Sequence, residues 1–283
     1  MLIFGEETVN RFAMLTTIIS ALFAALVAIL ATISIERFGG KLGGLISSLP
    51  STIVAASLGF WFSAGSIPAF QESQMTVSLG MFVNALFLYS WRIVPSLFSK
   101  GSSLSFRLGA MILISMSVWS IGALSLVLLL DWISDIHLWG IAGGISLVSF
   151  GIVACLKNPP APKGSRKISW LVLMSRGVLA GLAIGFAVWL SSLGSPILAG
   201  MASVFPAIFM TTMVSIWLSQ GSAVQGGAVG PMMLGSSSVA CFAILSAYLY
   251  PVVPLLLAVL LSWFGSVLLI SVPAWLFLQK LDG

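Results

Sequence analysis

Two prolines within long apolar stretches have nearby side chains that are suited to binding a polar solute. Pro50 and Pro206 each end a Gly-x-x-Ser-x-x-Pro pattern. A proline inside a helix has no N–H and clashes with the preceding turn, so we expect free carbonyls at Ile46 and Ala202. The hydroxyl and amide groups predicted to bind the solute are Ser47, Ser48, Ser51, Thr52, Asn84, Ser203, Thr211 and Thr212.

The same prolines are predicted hinges. Irregular backbone at membrane depth is tolerated only where protein or a water-filled cavity covers it, and paired interruptions are typical of transporter sites. Pro231 is a third hinge candidate. An alternative stays open, because small residues also let helices pack closely and hydroxyls hydrogen-bond to carbonyls of their own helix.

The sequence has few side chains that could act as general bases or metal ligands. His137 is the only histidine, and the only cysteines are Cys155 and Cys241, in separate apolar stretches. Two cysteines cannot form a structural zinc site, and no nucleophile–histidine pair is expected. The sequence therefore predicts no enzyme, no metal site and no cofactor. Because Asp, Glu and Lys are missing from the centres of the apolar stretches, coupling through buried carboxylates is not expected either.

The composition indicates a membrane protein. Of 283 residues, 59% are hydrophobic and only 7% are charged, whereas soluble domains carry about 25% charged residues. This excludes a soluble enzyme and a disordered chain. The twelve basic residues form no basic domain, so nucleic acid is not an expected partner.

The elements that must position the polar groups are membrane-spanning helices, which need about 20 apolar residues each. The sequence predicts an all-α bundle of about nine spans, because the apolar runs are continuous and do not alternate. The predicted spans are 12–35, 43–62, 75–93, 106–130, 138–156, 170–191, 196–218, 226–249 and 252–278.

The charges predict the orientation of these spans. In the nine-span arrangement, all but one of the twelve basic residues lie on one side and five of the seven acidic residues lie on the other. Basic loops favour the cytoplasm, so the N-terminus is predicted outside and the C-terminus inside. Arg92, Arg107 and Arg176 on the basic side are candidates for a basic vestibule, or they only set the orientation. Arg176 either extends to the surface or faces a cavity.

The tryptophans fit the same arrangement. Eight lie near predicted span ends and are expected to anchor the protein at the membrane interface: Trp61, Trp91, Trp132, Trp139, Trp170, Trp189, Trp217 and Trp275. Trp119 and Trp263 are expected inside the bundle.

An internal repeat appears when the second half is shifted back by 156 positions. Gly44, Ser47 and Pro50 then align with Gly200, Ser203 and Pro206, and the ending Trp-x-Ser-x-Gly-Ser recurs at 61–66 and 217–222. We interpret residues 1–130 and 168–283 as two four-span repeats, joined by a span and a basic, proline-rich loop at 131–167. Equivalent spans are five crossings apart, so the repeats have inverted topology. That arrangement recurs in secondary transporters.

The repeat resembles the GlpM-like group of small bacterial membrane proteins. The resemblance rests on Ala199-Gly200-Met201 with Phe205-Pro206, and less closely on Gly43-Gly44-Leu45 with Leu49-Pro50. It implies a membrane role without a defined activity. It also suggests an architecture similar to the drug/metabolite transporters, in which two small units pair.

The sequence favours a secondary transporter or facilitator of a small neutral or anionic solute, in the cell (inner) membrane. The alternative is an assembly or biogenesis factor that binds partner subunits or lipid and moves no solute. A passive channel would need a continuous polar path, and no charged ring for ion selection is evident. Expected partners are membrane lipid, the solute, and either further copies of the chain or other membrane subunits.

Overall fold

The computed structural model describes residues 14–26, 29–30, 49–99, 101–130, 132, 135–157, 170–220 and 222–281. This part of the chain is helical and contains no strand. The helices, in chain order, are α1 (Met14–Leu26), α2 (Thr52–Ser63), α3 (Ile67–Ile93), α4 (Leu104–Leu130), α5 (Ile136–Leu156), α6 (Trp170–Ser192), α7 (Pro196–Ser203), α8 (Ala207–Gln220), α9 (Ser222–Leu249), α10 (Leu255–Ser266) and α11 (Val272–Lys280). A 3₁₀ turn follows α3 at Val94–Leu97, and a π-helical turn at Val267–Ser271 links α10 to α11.

Seven helical segments of the described residues are long and apolar enough to cross a membrane. They correspond to the last seven predicted spans, which confirms an all-helical fold with seven candidate membrane-spanning helices. The first two predicted spans overlap the shorter helices α1 and α2. Residues 31–48 lie outside the described part of the chain, so the count of nine stays a prediction.

The third span begins earlier than predicted. We expected it to start at residue 75, but α3 starts at Ile67. The Ser66 hydroxyl accepts a hydrogen bond from the Ala69 N–H at 3.3 Å, and Pro68 occupies the first turn. Both features favour a helix start. As a result Glu72, expected in an outer loop, lies in the second turn of α3.

The centre of the bundle is formed by α3 and α9, which pack against each other. In their most apolar windows 67% and 72% of the residues are buried, compared with 11% in α4. The helix α5 packs against both. Glycines allow this approach: a Cβ on Gly151 would lie 2.8 Å from Cα of Leu234, and the Ser78 hydroxyl donates to the Gly140 carbonyl at 2.7 Å. The polar side chains of α3 therefore face protein.

The tryptophans divide into two groups. Four predicted anchors are well exposed on the bundle, as an interfacial role requires: Trp132, Trp139, Trp170 and Trp189. For Trp91 and Trp217 the anchor prediction is wrong, since they are 0% and 4% exposed and their rings meet at 5.9 Å. Trp119, expected inside the bundle, is half-buried, with its ring 5.2 Å from that of Phe205.

Candidate functional site at the paired helix breaks

The predicted seventh span is broken at Pro206. The helix α7 ends at Ser203, and α8 begins at Ala207. The expectation of a free Ala202 carbonyl is wrong, because the chain tightens before the proline and the Phe205 N–H donates to that carbonyl at 3.1 Å. Beyond the proline, the Ala207 N–H donates to the Phe205 carbonyl at 2.8 Å. At this break the Val204 carbonyl is free to accept from a side chain.

Asn84 of α3 binds this carbonyl. Its Nδ2 donates to the Val204 carbonyl oxygen at 2.8 Å, and the Asn84 side chain is 1% exposed. The Asn84 Oδ1 has no hydrogen-bond partner among the described residues. The Asn84 amide thus holds the break of the second half against the central helix of the first, and its predicted contact with a solute stays a prediction.

Glycines bring α7 and α3 into close contact around the break. A Cβ on Gly200 would lie 2.5 Å from the Ser73 carbonyl oxygen and 2.7 Å from Cβ of Thr76. A Cβ on Gly80 would meet the Val204 side chain at 2.6 Å. The glycine of the Gly-x-x-Ser-x-x-Pro pattern is therefore required by packing at residue 200.

The first half has a similar turn at Pro50. The Ser51 N–H donates to the Leu49 carbonyl at 2.7 Å, and α2 begins at Thr52. A shift of 156 positions relates this hydrogen bond to the one between Ala207 and Phe205. Ser51 and Thr52 are half-buried. The predicted site residues Ser47 and Ser48, and the Ile46 carbonyl, lie outside the described residues.

Hydroxyls near Pro206 bond to their own helices. The Ser203 hydroxyl donates to the Gly200 carbonyl at 2.7 Å, and the Thr212 hydroxyl donates to the Ile208 carbonyl at 2.7 Å. Thr211 makes equivalent bonds with the Ala207 and Ile208 carbonyls, both at 3.0 Å. These groups do not present a prepared set of donors to a solute. Pro231 lies inside the continuous helix α9.

Trp61 and Trp217 each contact an aromatic ring of the other half of the chain. Trp61, near the end of α2, contacts the ring of Tyr250, just beyond α9, at 5.8 Å. Trp217, near the end of α8, contacts the ring of Trp91, near the end of α3, at 5.9 Å. In each case, the helix that follows a proline turn contacts the C-terminal end of the other half's central helix.

The three candidate vestibule arginines have different surroundings. Arg92 Nη1 donates to the Ala154 carbonyl at 2.7 Å, so its charge lies at the C-terminal end of α5. A cation there also interacts favourably with the helix dipole. Arg107 is half-buried near the start of α4. Arg176 is 2% exposed and lies between helices, so it does not extend to the protein surface.

A cleft opens at the predicted outer side, with a volume of about 610 Å³. The first turns of α3, the end of α4 and the turn before α7 line it. Glu72 is its only acidic side chain, and Ser66 and Ser195 add hydroxyls. A carboxylate in this cleft would repel anions and would tolerate neutral molecules.

A second set of polar side chains, which includes Gln71 and Gln74, was not identified from the sequence. Gln74 Nε2 donates to the Ser57 hydroxyl, and Gln71 Nε2 donates to the Ala247 carbonyl at 3.1 Å. Tyr250 lies beside Ser57 and is 2% exposed. The glutamines were overlooked because the third span was predicted to start at residue 75. The capping signal Ser66–Pro68 would have placed them inside the helix.

The described site is therefore a pair of proline turns, of which the one at Pro206 is held by the Asn84 amide. The crossed aromatic contacts and a buried cluster of uncharged polar groups lie elsewhere between the same helices. Such an arrangement can change the angle between helix segments and can hydrogen-bond to uncharged molecules. No protein-family model, no curated protein and no solved structure matches this chain.

Proposed function

We propose that this integral membrane protein is a secondary transporter or facilitator of a small neutral or anionic solute, which works by alternating access between two inverted repeats. The observation that carries the proposal is the crossed pair of contacts, Trp61 with Tyr250 and Trp217 with Trp91. A duplicated unit folded back on itself makes each contact twice, once in each direction.

Helix bounds support the same duplication. Under the 156-position shift, the end of α3 at Ile93 corresponds to the end of α9 at Leu249, and the starts of α2 at Thr52 and α8 at Ala207 agree to within one residue. Five crossings between equivalents would reverse the direction, with the N-terminus outside and the C-terminus in the cytoplasm. The units would be residues 1–130 and 168–283, joined by 131–167. The GlpM-like resemblance belongs to this proposal.

The hinges in this proposal are the turns at Pro50 and Pro206. The regular helix stops before Pro206, and α2 begins only after the turn at Pro50, so a change in angle at these turns breaks few hydrogen bonds,. The bond between Asn84 and Val204 would hold one of the alternating states. The predicted solute-binding side chains at the proline turns are uncharged, and Glu72 in the outer cleft disfavours anions, so a neutral solute fits better. No described group suggests chemical conversion of the solute, and the proposal includes no enzymatic step.

Flux through purified protein tests the proposal. The full chain in liposomes should admit glycerol, urea or lactate faster than protein-free liposomes do. The double variant Pro50→Ala/Pro206→Ala should slow this flux by about tenfold or more, because continuous helices remove the hinges. Pro95→Ala, in the 3₁₀ turn after α3, is the matched control. Equal flux in the double variant and the wild type would contradict the hinge assignment.

A second function has its own support. Ser203, Thr211 and Thr212 all bond to their own helices, and glycines close the contact between α7 and α3. These features fit a membrane assembly factor that binds partner subunits or lipid and moves no solute. A stoichiometric partner in the purified complex, together with no flux of any of the three probes, would favour that function over transport.

A further inference from the structure

Three polar side chains from different parts of the fold meet near one end of the central pair. Ser57 belongs to α2, Gln74 to α3, and Tyr250 follows α9. Gln74 Nε2 donates to the Ser57 hydroxyl, and that hydroxyl also lies beside the Tyr250 phenol. We call Ser57, Gln74 and Tyr250 the polar cluster. It joins the two halves of the chain and contains no charged side chain.

Two atoms of this cluster are buried without a hydrogen bond. Within the described part of the chain, neither Gln74 Oε1 nor the Tyr250 hydroxyl makes a well-aligned hydrogen bond. The neighbouring Ser57 hydroxyl acts on Tyr250 as a donor to the phenol oxygen, so the phenol O–H remains available to donate. Gln74 is 0% exposed and Tyr250 is 2% exposed, so bulk solvent does not reach them. Buried polar groups in native proteins are nearly always paired with protein or with an ordered molecule. Exchanging the amide oxygen and nitrogen of Gln74 would leave a donor unpaired in place of an acceptor.

Aromatic rings cover this region. The Phe70 and Tyr250 rings stack at 5.2 Å, and the Trp61 ring meets both edge-to-face, at 5.1 Å from Phe70 and 5.8 Å from Tyr250. Their apolar faces would disfavour a charged guest that lacks a counter-charge. They are compatible with a small molecule that has one polar group and C–H surfaces.

We propose that the polar cluster binds one uncharged hydroxyl-bearing molecule, which donates to Gln74 Oε1 and accepts from the Tyr250 hydroxyl. The hydroxyl comes either from an ordered water or from a small polyol. This site adds residues that the sequence did not assign, and it lies apart from the proline turns. Binding here requires no transport, so its test does not depend on the proposed function.

The test is nuclear magnetic resonance of the full chain in detergent micelles, without any solute gradient. The Gln74 side-chain amide signal is identified by its loss in Gln74→Met. In the wild type, this amide should show a cross-peak to water or, when ¹³C-glycerol is added, to glycerol. Tyr250→Phe removes one of the guest's two hydrogen bonds and should weaken that cross-peak by about tenfold. Tyr248→Phe and Gln71→Met are the matched controls and should retain it.

Spectra recorded without and with glycerol distinguish the two possible sources of the hydroxyl. A water cross-peak that persists in glycerol identifies an ordered water, and its replacement by a glycerol cross-peak identifies a polyol site. Absence of both cross-peaks would overturn the proposal, because the cluster would then be closed on itself. Unchanged helical circular dichroism in Tyr250→Phe would show that the variant is folded.

Discussion

The Asn84 side-chain amide donates to the Val204 carbonyl over 2.8 Å, although 120 positions separate the two residues. The carbonyl lies where Pro206 interrupts the second half, and the amide belongs to the central helix of the first half. One buried hydrogen bond thus ties a helix break to the core of the bundle.

Replacing Asn84 by Leu should destabilise the protein by about 1–3 kcal/mol, because the buried Val204 carbonyl loses its side-chain donor. Equilibrium unfolding of the full chain in mixed detergent micelles measures this. Ser149→Ala is the control, since the Ser149 hydroxyl is exposed and bonds only to the Ile145 carbonyl of its own helix. Similar stability for Asn84→Leu and Ser149→Ala would argue against a structural role of the amide.

A methyl group at residue 200 should separate α7 from α3. In Gly200→Ala the new Cβ would lie 2.5 Å from the Ser73 carbonyl oxygen, a backbone atom that cannot rotate away. We expect a loss of about 1–3 kcal/mol in unfolding free energy. In contrast, Gly109→Ala places a Cβ in open space on α4 and should be neutral or slightly stabilising,. A neutral Gly200→Ala variant would contradict the close packing of the two helices.

Arg92 should matter for folding more than for anion binding. Removing its charged hydrogen bond to the Ala154 carbonyl in Arg92→Met should cost about 1.5–3 kcal/mol of stability. Lactate flux per folded molecule should stay the same. If flux fell while the unfolding free energy was unchanged, Arg92 would instead belong to a basic vestibule.

The raised pKa of Tyr250 predicts that the protein loses stability at alkaline pH. Burial raises the pKa of Tyr250 to about 12, against a smaller opposing effect of the Ser57 hydroxyl, whereas a tyrosine in an unfolded chain has a pKa of about 10. The folded state therefore retains the proton more strongly, and this contribution is complete below about pH 10 and lost as the pH approaches 12. Unfolding measured from pH 9 to 12 should show a steeper decline for wild type than for Tyr250→Phe. Parallel declines would contradict the shifted pKa.

Composition and proline spacing were sufficient to predict much of the fold. Long apolar runs predict seven of the observed helical segments, and Pro206 predicts the interruption between α7 and α8. The polar contacts across the bundle could not be predicted in the same way. Val204 is apolar, so nothing in its side chain indicates that its carbonyl would receive the Asn84 amide.

The burial of Trp91 and Trp217 could not be predicted from the sequence either. A tryptophan near a span end suits either a lipid interface or a packed contact, and only the positions of α3 and α8 decide for Trp91 and Trp217. The position of Gln74 inside α3 could be predicted from the sequence, because Ser66 is a capping residue that marks where the helix starts. Its partner Ser57, by contrast, is set by how α2 packs in three dimensions.

The central claim is that the halves are inverted copies, and thiol labelling from one side of the membrane tests it most directly. In a variant with Cys155 and Cys241 replaced by Ala, single cysteines replace either Gly65 or Gly221, which the 156-position shift makes equivalent. An impermeant maleimide added to intact cells should label the Gly65→Cys protein at once. It should label the Gly221→Cys protein only after the membrane is permeabilised. Rapid labelling of both from outside, or of neither before permeabilisation, would contradict inverted topology.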